Sequence, residues 1–190
     1  MIPFQPQRGF TLIELIITIA VLAIITAGVS ASWSSFVERN TSYVIQSGLS
    51  RTFALARSSA VKLNEVTTIC PLDETMQCSR DWGRSITIFV DPLNERALTA
   101  NTELLRVFEL PKAGSITASK SGPYERRYFQ YNPNGTTRGT LGNLVWCPIS
   151  QEASRAIQLR MNFGGRITWA RDSNEDGVKE DAQGQPLRCP

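Results

Sequence analysis

The chain has 190 residues, with 20 basic and 17 acidic side chains and a formal net charge of +3. This basic excess is too small to indicate nucleic-acid binding by itself. The sequence contains no histidine, which excludes Ser-His and Cys-His catalysis and removes the commonest ligand of a catalytic zinc.

An apolar run of 20 residues begins at Phe10, directly after a short polar leader. As a helix this run is about 30 Å long, which matches the hydrocarbon core of a bilayer. A secretory signal carries its cleavage site beyond the apolar run, whereas this leader ends in Gly9, before the run. We therefore predict a leader peptide at 1–9 and a transmembrane or assembly helix at 10–33, in which Glu14 is the single charged residue.

The helical pattern continues to Leu63 without a proline. Apolar residues in its second half recur near the 3.6-residue helical period. They are Phe36, Val37, Val44, Leu49, Phe53, Ala56, Ala60 and Leu63. We predict a single helix that ends at the "LNE" of 63–65, with an amphipathic second half at 34–63.

Segments rich in β-branched and aromatic residues follow the helix, separated by turn sequences such as "NPNG" and "GG". The predicted strands are 66–70, 85–91, 103–110, 115–119, 127–132, 143–148, 156–163 and 165–171. The sequence therefore predicts an α+β fold, in which one long N-terminal helix packs on an antiparallel β-sheet head at 64–190.

The cysteines form an even set without a C-x-x-C pair, which favours disulfides in an oxidising compartment over a zinc site. They are Cys70, Cys78, Cys147 and Cys189. Four cysteines allow three pairings. We favour Cys70–Cys78 and Cys147–Cys189, because each cysteine borders a predicted strand end or a terminus.

The sequence contains one set of residues with calcium-loop spacing and no catalytic motif. The pattern D-x-N-x-D-G near the C-terminus would offer oxygen ligands from Asp172, Asn174 and Asp176. An EF-hand loop would need a glutamate at position 183, where this chain has Gln183, although Asp181 or Glu180 could substitute. We predict a solvated acidic turn with calcium as the alternative, no other cofactor, and no enzymatic activity.

The start of the chain resembles a known signal. "GFTLIE" at 9–14, followed by a long apolar helix, resembles the class III signal of type IV pilins and type II secretion pseudopilins. Downstream, "LSRTFALARSSAVKLNEVTTICP", "WGRSITIFVD", "YFQYNPNGTTRGTLGNLVWC" and "GRITWAR" resemble the GspH/FimT/FimU group of minor pilins. The resemblance implies a pilin-like fold and a bacterial inner-membrane protein that crosses the membrane once, with a periplasmic head, and then enters a filament.

The resemblance also implies roles for three residues of the signal. Prepilin peptidase would cut after Gly9 and methylate the new amino terminus, Phe10. Glu14 would neutralise the Phe10 amine of a neighbouring subunit, which makes a buried carboxylate tolerable. The alternative is that Glu14 lies at the membrane interface and reaches water at modest cost, but this does not explain the Gly-Phe junction.

The implied function is that of a FimU-like minor pilin that is incorporated into a type IV pilus and helps to prime its assembly. Its partners would be other minor pilins and the major pilin, and pilus-dependent twitching motility and adhesion would follow. Two alternatives stay open. One is a GspH-like pseudopilin of type II protein secretion, and the other is a FimT-like DNA-binding minor pilin for natural transformation.

The DNA-binding alternative points to four arginines near the C-terminal strands: Arg155, Arg160, Arg166 and Arg171. Phosphate contacts require such side chains on one surface, and successive strand residues face opposite ways. The following ten residues also contain Asp172, Glu175, Asp176, Glu180 and Asp181, which would repel phosphate. We therefore predict ordinary surface charge here rather than a nucleic-acid site.

Overall fold

The computed structural model describes the backbone of residues 9–189 and the side chains of 9–26 and 36–189. The predicted leader before Gly9, and the side chains of the last part of the predicted segment 10–33, lie outside the described residues. The chain forms two units, of which the first ends at Val37 and the second begins at Glu38.

Helix α1 runs from Leu12 to Leu63 and is continuous over 52 residues, which confirms the predicted single helix. Its end follows from a local signal. Asn64 adopts a left-handed conformation with φ of 57°, and the Glu65 N–H donates to the Ala60 carbonyl at 3.2 Å. This is the arrangement of a Schellman cap with asparagine in the position that glycine usually takes.

In the second unit, α1 buries a stripe of apolar side chains spaced three or four residues apart: Ile45, Leu49, Phe53, Ala56 and Ala60. The prediction of Val44 on this face was wrong, because Val44 is 41% exposed whereas Ile45 is fully buried. Ile45 lies one helical turn before Leu49. Val44 is rotated about 100° from Ile45 around the helix axis. Leu63, at the helix end, is also half-exposed.

Ten strands follow the helix, and they include all eight predicted ones. They are β1 (Thr67–Pro71), β2 (Ile86–Val90), β3 (Glu103–Phe108), β4 (Gly114–Ala118), β5 (Lys120–Ser121), β6 (Tyr124–Glu125), β7 (Phe129–Tyr131), β8 (Gly142–Pro148), β9 (Ile157–Met161) and β10 (Ile167–Trp169). A short 3-10 helix, Ala153–Arg155, precedes β9. The hairpin of β5 and β6 was not predicted, because strands of two residues show no alternation.

The strands form two four-stranded antiparallel sheets and the small β5–β6 hairpin. The first sheet has the order β3-β2-β1-β7, and the second has the order β10-β9-β8-β4. The central strands β1 and β2 are buried at every position, as expected of strands covered on both faces. This arrangement confirms the predicted α+β class with an antiparallel head.

One core joins the amphipathic part of α1 to both sheets. The Phe129 ring lies 5.5 Å from that of Phe53 and 5.6 Å from that of Trp82, both in edge-to-face geometry. Edge-to-face pairs of this kind add about 0.5–1.5 kcal/mol beyond the apolar area they bury. The indole N–H of Trp82 is also satisfied, since it donates to the Arg126 carbonyl at 2.6 Å.

The cysteines are paired as the sequence analysis favoured. Cys70 bonds Cys78 with a Cα–Cα distance of 5.5 Å, and Cys147 bonds Cys189 with a Cα–Cα distance of 5.7 Å. The first bond closes a short loop beside β1, whereas the second spans 42 residues and ties the C-terminus to β8. On the loop-entropy model the longer closure stabilises by about 4 kcal/mol and the shorter one by about 2.6 kcal/mol.

We expect the protein from an oxidising compartment to react with no thiol reagent after denaturation without reductant. All four cysteines are bonded in the structure. Mass spectrometry after alkylation is the measurement, and a sample reduced before alkylation provides the positive control. Stoichiometric labelling of the unreduced protein would contradict the pairing.

Candidate assembly site

Gly9 and Phe10 lie outside regular secondary structure, immediately before α1. Gly9 is exposed, and a Cβ added at its Cα would meet no atom within 4 Å among residues 9–189. Phe10 is 87% exposed. The peptide bond between them is therefore sterically open to another protein in the isolated chain.

Glu14 lies in the first turn of α1 and its side chain is exposed. The Thr11 N–H donates to Glu14 Oε2 over a long 3.5 Å, and the Glu14 N–H donates to Thr11 Oγ1 at 3.3 Å. This reciprocal pair is a capping box. A carboxylate at the N-terminal end of a helix also interacts favourably with the positive end of the helix dipole. The T-x-x-E spacing of Thr11 and Glu14 is the sequence signal of this cap. Glu14 therefore has a local role that needs no partner subunit.

The first part of α1 is apolar on all sides. The large apolar side chains from Phe10 to Ile25 are between 49% and 87% exposed. Contiguous apolar surface on this scale marks contact with other proteins or with lipid. No helical stretch within the described residues meets the length and hydropathy required of a membrane span.

Arg155 is separate from the other three arginines of the DNA-binding alternative. Its guanidinium pairs with Glu38, and its Nε lies 2.8 Å from Glu152 Oε2. The side chain is largely buried by these contacts. Arg155 is therefore part of the packing between α1 and the 3-10 helix.

The remaining arginines do share a surface. Arg160, Arg166 and Arg171 line one cavity of about 480 Å³. The expectation that strand alternation would separate them was wrong, because β10 ends at Trp169 and the alternation does not extend to Arg171. Glu180 and Asp181 line the same cavity, so a phosphate there would meet carboxylates as well as guanidinium groups.

The acidic loop brings together a set of residues that differs from the predicted one. One carboxylate oxygen each from Asp172, Asp176 and Glu180 lies within 4.8 Å of the others. Asn174 contacts this set through its amide, which donates to Asp176 Oδ2 at 3.0 Å. Asp181 belongs to the next turn, where it accepts backbone N–H groups. The sequence could not choose between Glu180 and Asp181, since adjacent residues are equally close along the chain.

Two protein-family models match the chain. The model described as type II transport protein GspH matches residues 47–165, more than half of the chain. The model described as prokaryotic N-terminal methylation motif matches residues 5–30, which include the Gly-Phe junction. No curated protein sequence matches the chain significantly.

Solved structures are also similar to this chain. The crystal structure of the type IV minor pilin FimU of Pseudomonas aeruginosa has 23% identity and a TM-score of 0.55, over 82% of this chain and 99% of the solved FimU chain. The minor pseudopilin EpsH from the type 2 secretion system of Vibrio cholerae has 13% identity and a TM-score of 0.45, over 65% of this chain and 92% of EpsH. The similarity to FimU confirms the pilin-like fold.

The family match covers the amphipathic end of α1 and most of the head. The methylation-motif match covers the exposed start of the same helix. Pilins are structural rather than enzymatic proteins. The chain therefore belongs to the GspH family of type IV pilin-like minor pilins and pseudopilins.

Proposed function

We propose that the protein is a minor pilin that enters a type IV pilus and helps to prime its assembly. The observation that carries this proposal is the "GFTLIE" junction at the start of a helix whose apolar side chains are exposed on all sides. Such a helix buries its apolar surface only against other molecules. In this proposal those molecules are first the lipids of the inner membrane and then the helices of neighbouring pilins.

Processing prepares the helix for this transfer. Prepilin peptidase removes 1–9 and leaves Phe10 as the methylated amino terminus. Both residues at the junction are exposed, which supports access by the enzyme. The head, 64–190, stays in the periplasm, where an oxidising environment suits its two disulfides.

Glu14 then acts at the step when a subunit leaves the membrane. Its carboxylate is exposed in the isolated chain and accepts one long hydrogen bond, from the Thr11 N–H at 3.5 Å. Burial beside the Phe10 ammonium of a neighbouring subunit would pair both charges. Removal of one partner from a buried pair costs about 3–5 kcal/mol, because the other charge is then stranded. Subunits without this carboxylate would therefore enter the filament poorly.

We choose a pilus over a secretion pseudopilus because the solved chain with a similar fold, matched over 99% of its residues, is a type IV minor pilin. The test is an in-frame deletion of the gene, followed by quantification of pili sheared from the cell surface. We expect surface pili to fall sharply and to return when the gene is restored. Secretion through the type II system should be unchanged in the same strain.

Restoration with variants separates the charge of Glu14 from its capping role. Glu14→Gln keeps the capping box, which accepts glutamine, but removes the charge, so it should not restore pili. Glu175→Gln removes the same charge from an exposed position in the head and should restore them. Unchanged pili in the deletion strain would refute the proposal. A loss of secretion would then indicate a pseudopilus, and a loss of transformation alone would indicate DNA uptake.

A further inference from the structure

Carboxylates converge in the loop after β10. One oxygen each from Asp172, Asp176 and Glu180 lies within 4.8 Å of the other two. Ligand oxygens of one Ca²⁺ ion lie no farther apart than about 5 Å, because each binds the ion at about 2.3–2.6 Å. The spacing therefore fits one calcium ion.

Glu180 distinguishes this cluster from an ordinary acidic turn. Its side chain is only 8% exposed. Oε2 accepts a hydrogen bond from the Ser173 N–H at 2.7 Å, but Oε1 is buried without a hydrogen-bond partner among the described residues. An ionised carboxylate oxygen in this state is unfavourable unless a cation meets it.

Basic side chains nearby do not supply that cation. Arg171 shares a cavity with Glu180, yet within the described part of the chain none of the ion pairs includes either residue. Lys179 is directed elsewhere, since its Nζ donates to the Ser154 carbonyl at 3.4 Å and to the Ala156 carbonyl at 3.2 Å.

The backbone of the loop already holds the two exposed carboxylates in place. The Gly177 N–H donates to Asp172 Oδ2 at 2.8 Å, and the Val178 N–H donates to Asp176 Oδ1 at 2.8 Å. Gly177 has φ of 90°, a conformation that favours glycine. An ion would therefore bind to a loop that needs little rearrangement.

We propose that Asp172, Asp176 and Glu180 bind one calcium ion in the head. The donors are all hard carboxylate oxygens, which suit calcium and lack the nitrogen or sulfur that zinc prefers. Magnesium is less suitable, because it gives up its waters reluctantly and is seldom enclosed by protein ligands alone. This inference goes beyond the proposed pilus function and does not depend on it.

The ion would hold the C-terminal segment on the head. The Glu180 N–H donates to the Arg171 carbonyl at 2.9 Å, and Glu180 pairs with Pro186 in an isolated bridge. Leu187 follows and is buried beside the Cys147–Cys189 disulfide. Calcium would therefore hold the C-terminal segment on the head at a second point, close to the Cys147–Cys189 disulfide that already attaches it to β8.

The test is calorimetric titration of the full chain in detergent micelles with CaCl₂, after removal of divalent ions. We expect one ion per chain with a Kd of about 10⁻⁴ M, as in extracellular calcium modules. Magnesium should bind at least about tenfold more weakly. At about ten times Kd, calcium should raise Tm by about 3–5 °C.

Charge-neutralising variants locate the ion. Glu180→Gln and Asp176→Asn should each weaken calcium binding by at least about tenfold, because calcium affinity depends on the number of charged ligands. Glu175→Gln is the matched control, since it removes one charge from the same loop outside the cluster, and it should leave Kd nearly unchanged. No saturable binding by the unmodified chain would overturn the proposal. Equal weakening by Glu175→Gln and Asp176→Asn would overturn it too, since nonspecific attraction would then explain the binding.

Discussion

Gly165→Ala is expected to lower the free energy of unfolding by about 3 kcal/mol more than Gly184→Ala does. Both glycines have φ of 75°, so alanine pays a similar backbone penalty of about 1–2 kcal/mol at each position. They differ in their surroundings. A Cβ at Gly165 would lie 2.1 Å from the Gly135 carbonyl oxygen and 3.0 Å from the Tyr131 ring, whereas a Cβ at Gly184 would meet nothing within 4 Å.

The contact at Gly165 cannot relax by a simple side-chain movement, because the nearest atom belongs to the backbone. To relieve the overlap between the new Cβ and the Gly135 carbonyl oxygen, the turn at Gly135 would have to move away from the turn between β9 and β10. This movement would also disturb the hydrogen bond that the buried Tyr131 hydroxyl donates to the Gly165 carbonyl at 3.2 Å. Burial raises the pKa of Tyr131 well above its ordinary value, so this phenol is neutral and depends on that acceptor.

Urea unfolding of the full chain in micelles, followed by tryptophan fluorescence, measures the difference between the two variants. Trp82 and Trp146 are buried in the core and report on the head. A difference between the variants within about 0.5 kcal/mol, the usual range of surface substitutions, would show that the two turns do not meet as described.

Gly9→Val is expected to block maturation of the chain completely. A Cβ at position 9 would meet no atom of the described residues within 4 Å, so the substitution should not disturb the fold. The effect would arise in the active site of prepilin peptidase, which must accommodate the residue before the cut. Cells with an active peptidase should therefore accumulate a protein that retains 1–9.

Intact-mass measurement of the membrane fraction distinguishes the two forms. Gln7→Val is the matched control, because it places the same side chain in the leader but leaves the junction intact, and it should yield the mature mass. A mature mass for the Gly9→Val protein would contradict the assigned cleavage position. It would leave open whether the protein serves a pilus, which the deletion experiment tests separately.

The sequence alone determined the long helix and the eight longer strands, because each of them depends on neighbours along the chain. Helix α1 follows from apolar periodicity without proline, and its end follows from asparagine at 64, a residue that tolerates the left-handed conformation. The strands follow from β-branched segments between turn residues. The apolar start of the helix and the Gly-Phe junction are equally local signals, and they indicate a pilin-like protein from the sequence alone.

The tertiary structure decided which side chains meet when they are distant in the sequence. It buried Ile45 rather than Val44, since the sheets select one side of the helix. It placed Asp91 in full burial, where it accepts a hydrogen bond from Thr68 Oγ1 at 2.8 Å. The local sequence pattern predicts neither the burial of Ile45 nor that of Asp91, because both depend on contacts with strands that are distant along the chain.

The same reason explains the parts of the candidate sites that the sequence missed. Three arginines share a cavity because β10 ends at Trp169 and strand alternation does not extend to Arg171. Glu180, rather than Asp181, joins Asp172 and Asp176 because backbone pairing with Arg171 sets its direction. Periodicity and composition describe a segment and its nearest neighbours, whereas side-chain convergence is decided by packing between segments.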